Sequence, residues 1–145
     1  MDLANRHVAD SLADLGVLPN AIDRREHLRS RYDEAFQRLP LDLEPPVEPG
    51  VRHARHLYAV RVGPEAPRSR DDLMIGLRAL GVGSSVHFKG IHMLTHYSRR
   101  CQVAAGDLPN ATDWARRSIS LPLYPGLSEA DQDRVIGSVR ALLSA

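Results

Sequence analysis

The 145-residue chain has one cysteine, one tryptophan and one lysine, and aromatic residues make up only 5% of it. A single thiol, Cys101, excludes an intramolecular disulfide framework and suits a reducing compartment, where it is a bystander. Charge of one sign is lacking too: 19 Lys and Arg stand against 18 Asp and Glu, a formal net charge of +1 with both signs interspersed. No basic stripe is available to track a phosphate backbone, so nucleic acid is not expected as a partner. No apolar run approaches the ~20 residues needed to span a bilayer, and Met1 to Leu15 has neither a basic n-region nor an uninterrupted apolar h-region. These absences predict a soluble, cytoplasmic chain without a membrane partner. The lone Lys89 among 18 arginines carries no mechanism by itself.

With 43% hydrophobic and 26% charged residues, the chain suits one globular domain with a real core. Apolar residues at Ile22, Leu28, Tyr32, Ala35, Phe36 and Leu39 recur at helical spacing, which predicts a helix over Asn20 to Leu39 with Asn20 as its cap. Arg29 with Asp33, and Glu34 with Arg38, fall four apart on its expected wet side. A shorter helix is predicted from Ala9 to Leu18, stopped by Pro19. The proline-dense PLDLEPPVEPG, Pro40 to Gly50, reads as an extended connector. His56 to Val62 alternates as a half-buried strand, with Tyr58, Val60 and Val62 on one face.

Ser69 with Asp72 resembles a capping box opening a helix whose stripe is Leu73, Met74, Leu77 and Leu80, with Gly81 at its exit. Ser84 to Phe88 reads as a short strand, and Lys89 to Arg100 has room for one helical turn. Asn110 is expected to cap a helix running to Arg117, Ile119 to Leu123 to form a strand, and Tyr124 to Gly126 to turn. Ser128 with Asp131 opens the last helix, whose stripe is Val135, Ile136, Val139, Leu142 and Leu143. The expected fold is an α/β sandwich of α+β type, a small sheet of about three strands covered by helices. Its single domain over residues 1–145 divides into a helical arm (1–39), a connector (40–50) and the sandwich (51–145).

Four segments carry a resemblance in order along nearly the whole chain: the RRxxLxxRYDEAF pattern at Arg24 to Phe36, HLYAVRV with RDDLMIGLRALGVG, GVGSSVHFKGIH at Gly81 to His92, and SLPLYPGLSEAD at Ser120 to Asp131. Together they are similar to the end of the DegT/DnrJ/StrS family of pyridoxal-phosphate (PLP) sugar aminotransferases. The resemblance implies the small carboxy-terminal domain of a fold-type-I enzyme, one that moves an amino group from an amino acid to a keto-sugar nucleotide and is typically a homodimer. In that family the Schiff-base lysine, in an SFHxxK context, and the aspartate on the pyridine nitrogen lie in the larger amino-terminal domain. Neither has a counterpart in this sequence. By itself, then, the chain is expected to bind no cofactor and to be inactive, needing a homo-oligomer or a separate amino-terminal half. A non-enzymatic interaction or dimerisation module, or a gene remnant, is the alternative.

Asn5, Arg6, His7 and Val8 stand where the family has NYRM, so Asn5 is the candidate for the cofactor phosphate of a partner subunit. His87, Phe88 and His92 match the family's sugar-nucleotide-facing positions. Imidazole and aromatic side chains suit that contact because they offer flat apolar surface and a directional hydrogen bond. Gly90 and Thr95 replace family prolines, a change expected to loosen the loop. Lys89 stands where the family has an apolar residue, and no catalytic residue is assigned. His87, His92 and His96 number enough imidazoles to hold zinc, but no HExxH, cysteine pair or spaced carboxylate accompanies them, so no metal is expected. His53 and His56 read as packing or edge residues, and Trp114 and Tyr124 as core or subunit contacts.

Overall fold

The computed structural model describes residues 18–100 and 105–144, of which 18, 19 and 105 are described for the backbone alone. Residues 1–17, with Asn5, His7 and most of the predicted first helix, lie outside the described residues, as does Cys101.

Helix α1 runs Leu18–Phe36. Pro19, expected as a stop, sits in its first turn, where a missing N–H costs no helical hydrogen bond. Asn20 is therefore inside the helix rather than its cap. Leu28, Tyr32 and Phe36, four apart, are fully buried and stack with Tyr58: the ring centroids lie 5.5 Å apart for Tyr32 and Phe36, 4.7 Å for Tyr32 and Tyr58, and 6.4 Å for Phe36 and Tyr58. Both phenol groups find acceptors, Tyr32 donating to the Pro122 carbonyl at 3.0 Å and Tyr58 to Asp33 Oδ1 at 2.9 Å. Burial of these rings thus strands no hydroxyl.

The side of α1 expected to be wet is covered at Arg29, which is buried and paired with Asp33 at 3.1 Å and Glu26 at 3.4 Å. The chain after the connector returns across it: buried Arg55 binds Glu26 at 2.6 Å and Glu44 at 3.2 Å. Spacing alone cannot foresee this, because the covering residues lie outside the helix. Arg55 adopts a left-handed backbone, φ 47°, a conformation costing about 1–2 kcal/mol in a non-glycine residue that its two carboxylate partners offset.

The sheet has three antiparallel strands in the order β1-β2-β3, formed by Leu41–Asp42, Tyr58–Val62 and Ser118–Leu121. Leu41 faces Val62, and Tyr58, Val60 and Arg61 face Leu121, Ile119 and Ser118. The β2 alternation is as expected, with Tyr58, Val60 and Val62 turned to the core. The identity of the third strand is not. Ser84 to Phe88 forms no strand; Ser85 alone bridges Ser120. The missing partner comes from the connector, where Leu41–Asp42, directly after Pro40, pairs with β2 over two residues. Gly63 closes that corner: its N–H meets the Pro40 carbonyl at 2.7 Å, and an added Cβ would lie 2.8 Å from the same oxygen.

Helix α2, Arg70–Ala79, opens as predicted: the Ser69 hydroxyl accepts the Asp72 N–H and donates to its carboxylate at 2.7 Å. It closes on Gly81 at φ 74°, with Val82 N–H on the Leu77 carbonyl and Gly81 N–H on that of Arg78, a Schellman motif. Leu73 and Leu77 are buried, whereas Leu80, at the C-cap, is off the helical face and exposed. A 3-10 turn at Ile91–Met93 and helix α3, Thr95–Arg100, follow. After a second 3-10 turn, Ala105–Asp107, helix α4 spans Pro109–Arg117. Leu108 is its N-cap and Pro109 supplies the fixed φ of the first position, so Asn110 is inside the helix instead of capping it. Helix α5, Glu129–Leu143, begins on Ser128, whose hydroxyl accepts the Asp131 N–H.

Residues Val135, Ile136, Val139 and Leu143 of α5 share one core with α1, α2, β2 and β3. At its centre Gln132, fully buried, donates to the Leu28 carbonyl at 2.6 Å and accepts from Arg31 at 2.6 Å.

Two outcomes follow from this core. Phe36→Ala should lower stability by about 3–5 kcal/mol, read as a lower urea midpoint at unchanged slope. Burial raises the Tyr32 and Tyr58 phenols above their usual value, and the Asp33 charge and hydrogen bond add to this for Tyr58. A raised folded pKa means that their contribution is complete below the unfolded value of about 10 and is lost as pH rises beyond it. In an alkaline titration, their phenolate absorbance should therefore appear together with loss of helical circular dichroism.

Candidate functional site

The second face of the sheet carries Ala59 and Arg61 of β2 beside Ser118 and Ser120 of β3, opposite the face of Ile119 and Leu121. Helix α4 lies across it. Arg117 grips Asp113 with two bonds of 2.7 Å and donates to the Val62 carbonyl at 2.9 Å. The guanidinium of Arg61 lies 3.0 Å from Asp42 and 4.9 Å from the centre of the Trp114 ring. Hydrogen bonding from Arg117 holds the Asp113 carboxyl below its ordinary range, and the charges of Arg117 and Arg61 act the same way. Nη1 of Arg70 donates to the carbonyls of Ala115 at 3.3 Å and Ser118 at 2.9 Å, closing the carboxy-terminal end of α4.

Two hydroxyls on this platform hold the two histidines singled out in the sequence. Ser120 Oγ, buried on β3, lies 2.9 Å from His87 Nδ1, and buried Thr112 Oγ1, on α4, lies 2.9 Å from His92 Nε2. The reciprocal backbone bonds between Ser85 and Ser120, 3.1 and 2.8 Å, fix the chain two residues before His87. His87 lines an open hollow of about 320 Å³ together with Leu57, Ser84, Ser85, Ser120 and Pro122. Phe88 stands edge-on to His87, with ring centroids 5.0 Å apart, and is 72% exposed. His87 and Phe88 are thus neighbours, while His92 is turned toward α4.

Gly90 leaves room for that turn. Its φ of −57° and ψ of 129° are open to proline or any other residue, so glycine does not serve backbone freedom at this position. A Cβ there would lie 2.7 Å from His92 Cε1 and 3.1 Å from Nδ1; the imidazole occupies the space a side chain would fill. Instead of simply loosening the loop, the glycine admits an anchor.

His96 is exposed and edge-on to Tyr97, and no group of three or more potential metal ligands forms among the described residues. His53 and His56 are exposed at the approach to β2, His53 Nδ1 accepting the Arg55 N–H at 3.1 Å. Trp114 and Tyr124 are about half exposed rather than core residues. Lys89 is exposed beside Phe88. A resident PLP needs an amine in a sheltered site with a phosphate cradle and a carboxylate for the pyridine nitrogen; the described surroundings of Lys89 do not fit that group. Sequence reading passed over Ser120, Thr112 and the spatial role of Gly90. The alternation Ser118, Ile119, Ser120, Leu121 was a usable signal, since it puts two hydroxyls on the face opposite the core.

This fold, a three-stranded antiparallel sheet packed on α1, α2 and α5, is shared with about a third of the chain of solved aminotransferases. The chain belongs to the DegT/DnrJ/EryC1/StrS aminotransferase family, whose profile matches residues 1–140. It is 35% identical to the spore coat polysaccharide biosynthesis protein SpsC of Bacillus subtilis, over 99% of this chain and 37% of that protein. A DegT DnrJ EryC1 StrS aminotransferase from Brucella abortus is 32% identical, with TM-score 0.75, over 92% of this chain and 34% of its own. Spr1654 from Streptococcus pneumoniae, solved in PMP and PLP forms, is 27% identical with TM-score 0.81, over 90% of this chain and 33% of its own. The chain therefore spans about a third of the length of these relatives. No described helix is long and apolar enough to cross a membrane.

Replacing Gly90 by alanine tests the anchor. The backbone accepts alanine, so the effect should be confined to the ring: His92 imidazole resonances should move while the global unfolding midpoint falls by no more than about 1–3 kcal/mol equivalent, the range for overpacking.

Proposed function

We propose that this chain acts as the carboxy-terminal domain of a DegT/DnrJ/StrS-type sugar aminotransferase in the cytoplasm, serving transfer of an amino group from an amino acid to a keto-sugar nucleotide. The observation that carries the reading is the family match along residues 1–140 by a chain about a third as long as its relatives. PLP, which the family uses, supplies the electron sink for the transfer. In this reading its lysine comes from another segment or chain, because Lys89 is an exposed side chain outside any cradle. His87 and Phe88 face the sugar nucleotide, the imidazole giving one directional hydrogen bond and the ring a flat apolar surface. His92 contributes Nδ1, since Nε2 is taken by Thr112. Asn5 approaches the cofactor phosphate of a partner subunit.

The partner is a second copy or a separate amino-terminal half. One observation favours a second reading, a non-catalytic interaction module: Phe88, Ile91, Leu94 and Tyr97 are exposed on a stretch whose turn and helix, Ile91–Met93 and Thr95–Arg100, bury no residue.

The test adds PLP, glutamate and a keto-sugar nucleotide to the purified chain, with and without the amino-terminal two thirds of SpsC. The enzyme reading expects no amino sugar from the chain alone and product from the mixture. Association without product supports the interaction module. Product from the chain alone, or cofactor fixed on Lys89 by borohydride, overturns both.

A further inference from the structure

We infer that Ser120 is a positioning residue that fixes His87 in one tautomer, with the proton on Nε2, so that the imidazole meets a ligand as a hydrogen-bond donor. The inference rests on the reading that His87 faces the ligand, and it adds which ring atom does so and with what polarity.

The geometry begins at β3. Ser120 is 4% exposed, and its backbone is held on both sides, by Ala59 of β2 and by the paired bonds to Ser85. Its hydroxyl therefore has a fixed origin, and His87 Nδ1 lies 2.9 Å from it. Among the described residues Ser120 Oγ has no other hydrogen-bond partner. Two arrangements satisfy that distance. If Nδ1 carried the proton, Ser120 would accept it, and the serine's own O–H would have no acceptor among the described residues. If Nδ1 is bare, the serine O–H donates to it and only acceptor capacity is left over, which is the smaller loss. The second arrangement places the proton on Nε2, because a neutral imidazole carries one N–H.

Nε2 is the nitrogen that remains for an incoming group, since Nδ1 is occupied and the ring lines the hollow. An Nε2–H donor selects an oxygen acceptor. A nucleotide-linked sugar offers two kinds, the diphosphate oxygens and the sugar hydroxyls. A Ser120→Ala change leaves the ring with only the modest intrinsic preference of a free imidazole for Nε2–H, so its effect falls on how completely one tautomer is held.

The experiment reads the tautomer directly. In the selectively nitrogen-labelled chain, at a pH where His87 is neutral, long-range proton–nitrogen correlation should show the Nε2–H pattern. Ser120→Ala should give averaged nitrogen shifts, and Ser120→Thr, which keeps the hydroxyl, should restore the wild-type pattern. An Nδ1–H pattern in the wild-type chain, or an unchanged pattern in Ser120→Ala, overturns the inference. An Nδ1–H or averaged pattern in the wild-type chain overturns the inference even if a variant fails to fold. These measurements need no ligand, so they stand apart from the functional reading. That reading is tested by adding inorganic pyrophosphate or free glucose and following His87: a response to the first points to phosphate oxygen and a response to the second to hydroxyl, while silence to both removes the ligand role and leaves the tautomer standing.

Discussion

Everything in the described structure hangs on the stack of Tyr32, Phe36 and Tyr58. It joins α1 to the middle strand of the sheet, and the Tyr32 hydroxyl ties the same helix to the chain leaving β3 at Pro122. Three large rings in one place give a small domain much of its apolar burial. Once β2 is fixed against α1, its other neighbours and its other face are fixed too, because side chains alternate across a strand. The platform carrying His87 and His92 is thus the reverse side of the core.

The parts of this arrangement that local chemistry controls were legible beforehand. Ser69 with Asp72 and Ser128 with Asp131 marked two helix starts correctly, because a capping hydroxyl acts within one turn. The alternation of Tyr58, Val60 and Val62 marked β2 and its buried face. Errors arose where distant residues decide. Leu41–Asp42 supplies the third strand in place of Ser84 to Phe88, and on the opposite edge of the sheet, a choice made by pairing across twenty residues of sequence. Arg29 looked solvated on a helical projection and is covered by a chain segment that the projection does not contain. At the site, His87 and Phe88 were singled out through resemblance, whereas Ser120 and Thr112, lacking any motif, became visible only through what they touch.

The preference for arginine over lysine, mute in the composition, has a structural reading. Arg24 donates to the Leu127 carbonyl, Arg140 to that of Ala35, Arg117 to Val62, and Arg70 to both Ala115 and Ser118. Such carbonyls lie at element ends, where the backbone runs out of its own donors. A planar fork with five N–H groups can reach two of them at once, or a carbonyl and a carboxylate, as Arg117 does. The sheet and its helices are therefore fastened at their corners by guanidinium groups.

One bridged residue has a consequence beyond the site it supports. The outer edge of β3 is a row of backbone donors and acceptors, and in an antiparallel sheet such an edge is a template on which any extended chain can crystallise. Ser85 meets Ser120 in the middle of a four-residue strand and then veers away. The other outward-facing residue, Ser118, gives its N–H to the Trp114 carbonyl and its own carbonyl to Arg70, so a helix end, a guanidinium and the rung that sets the approach to His87 together occupy the edge an added strand would need.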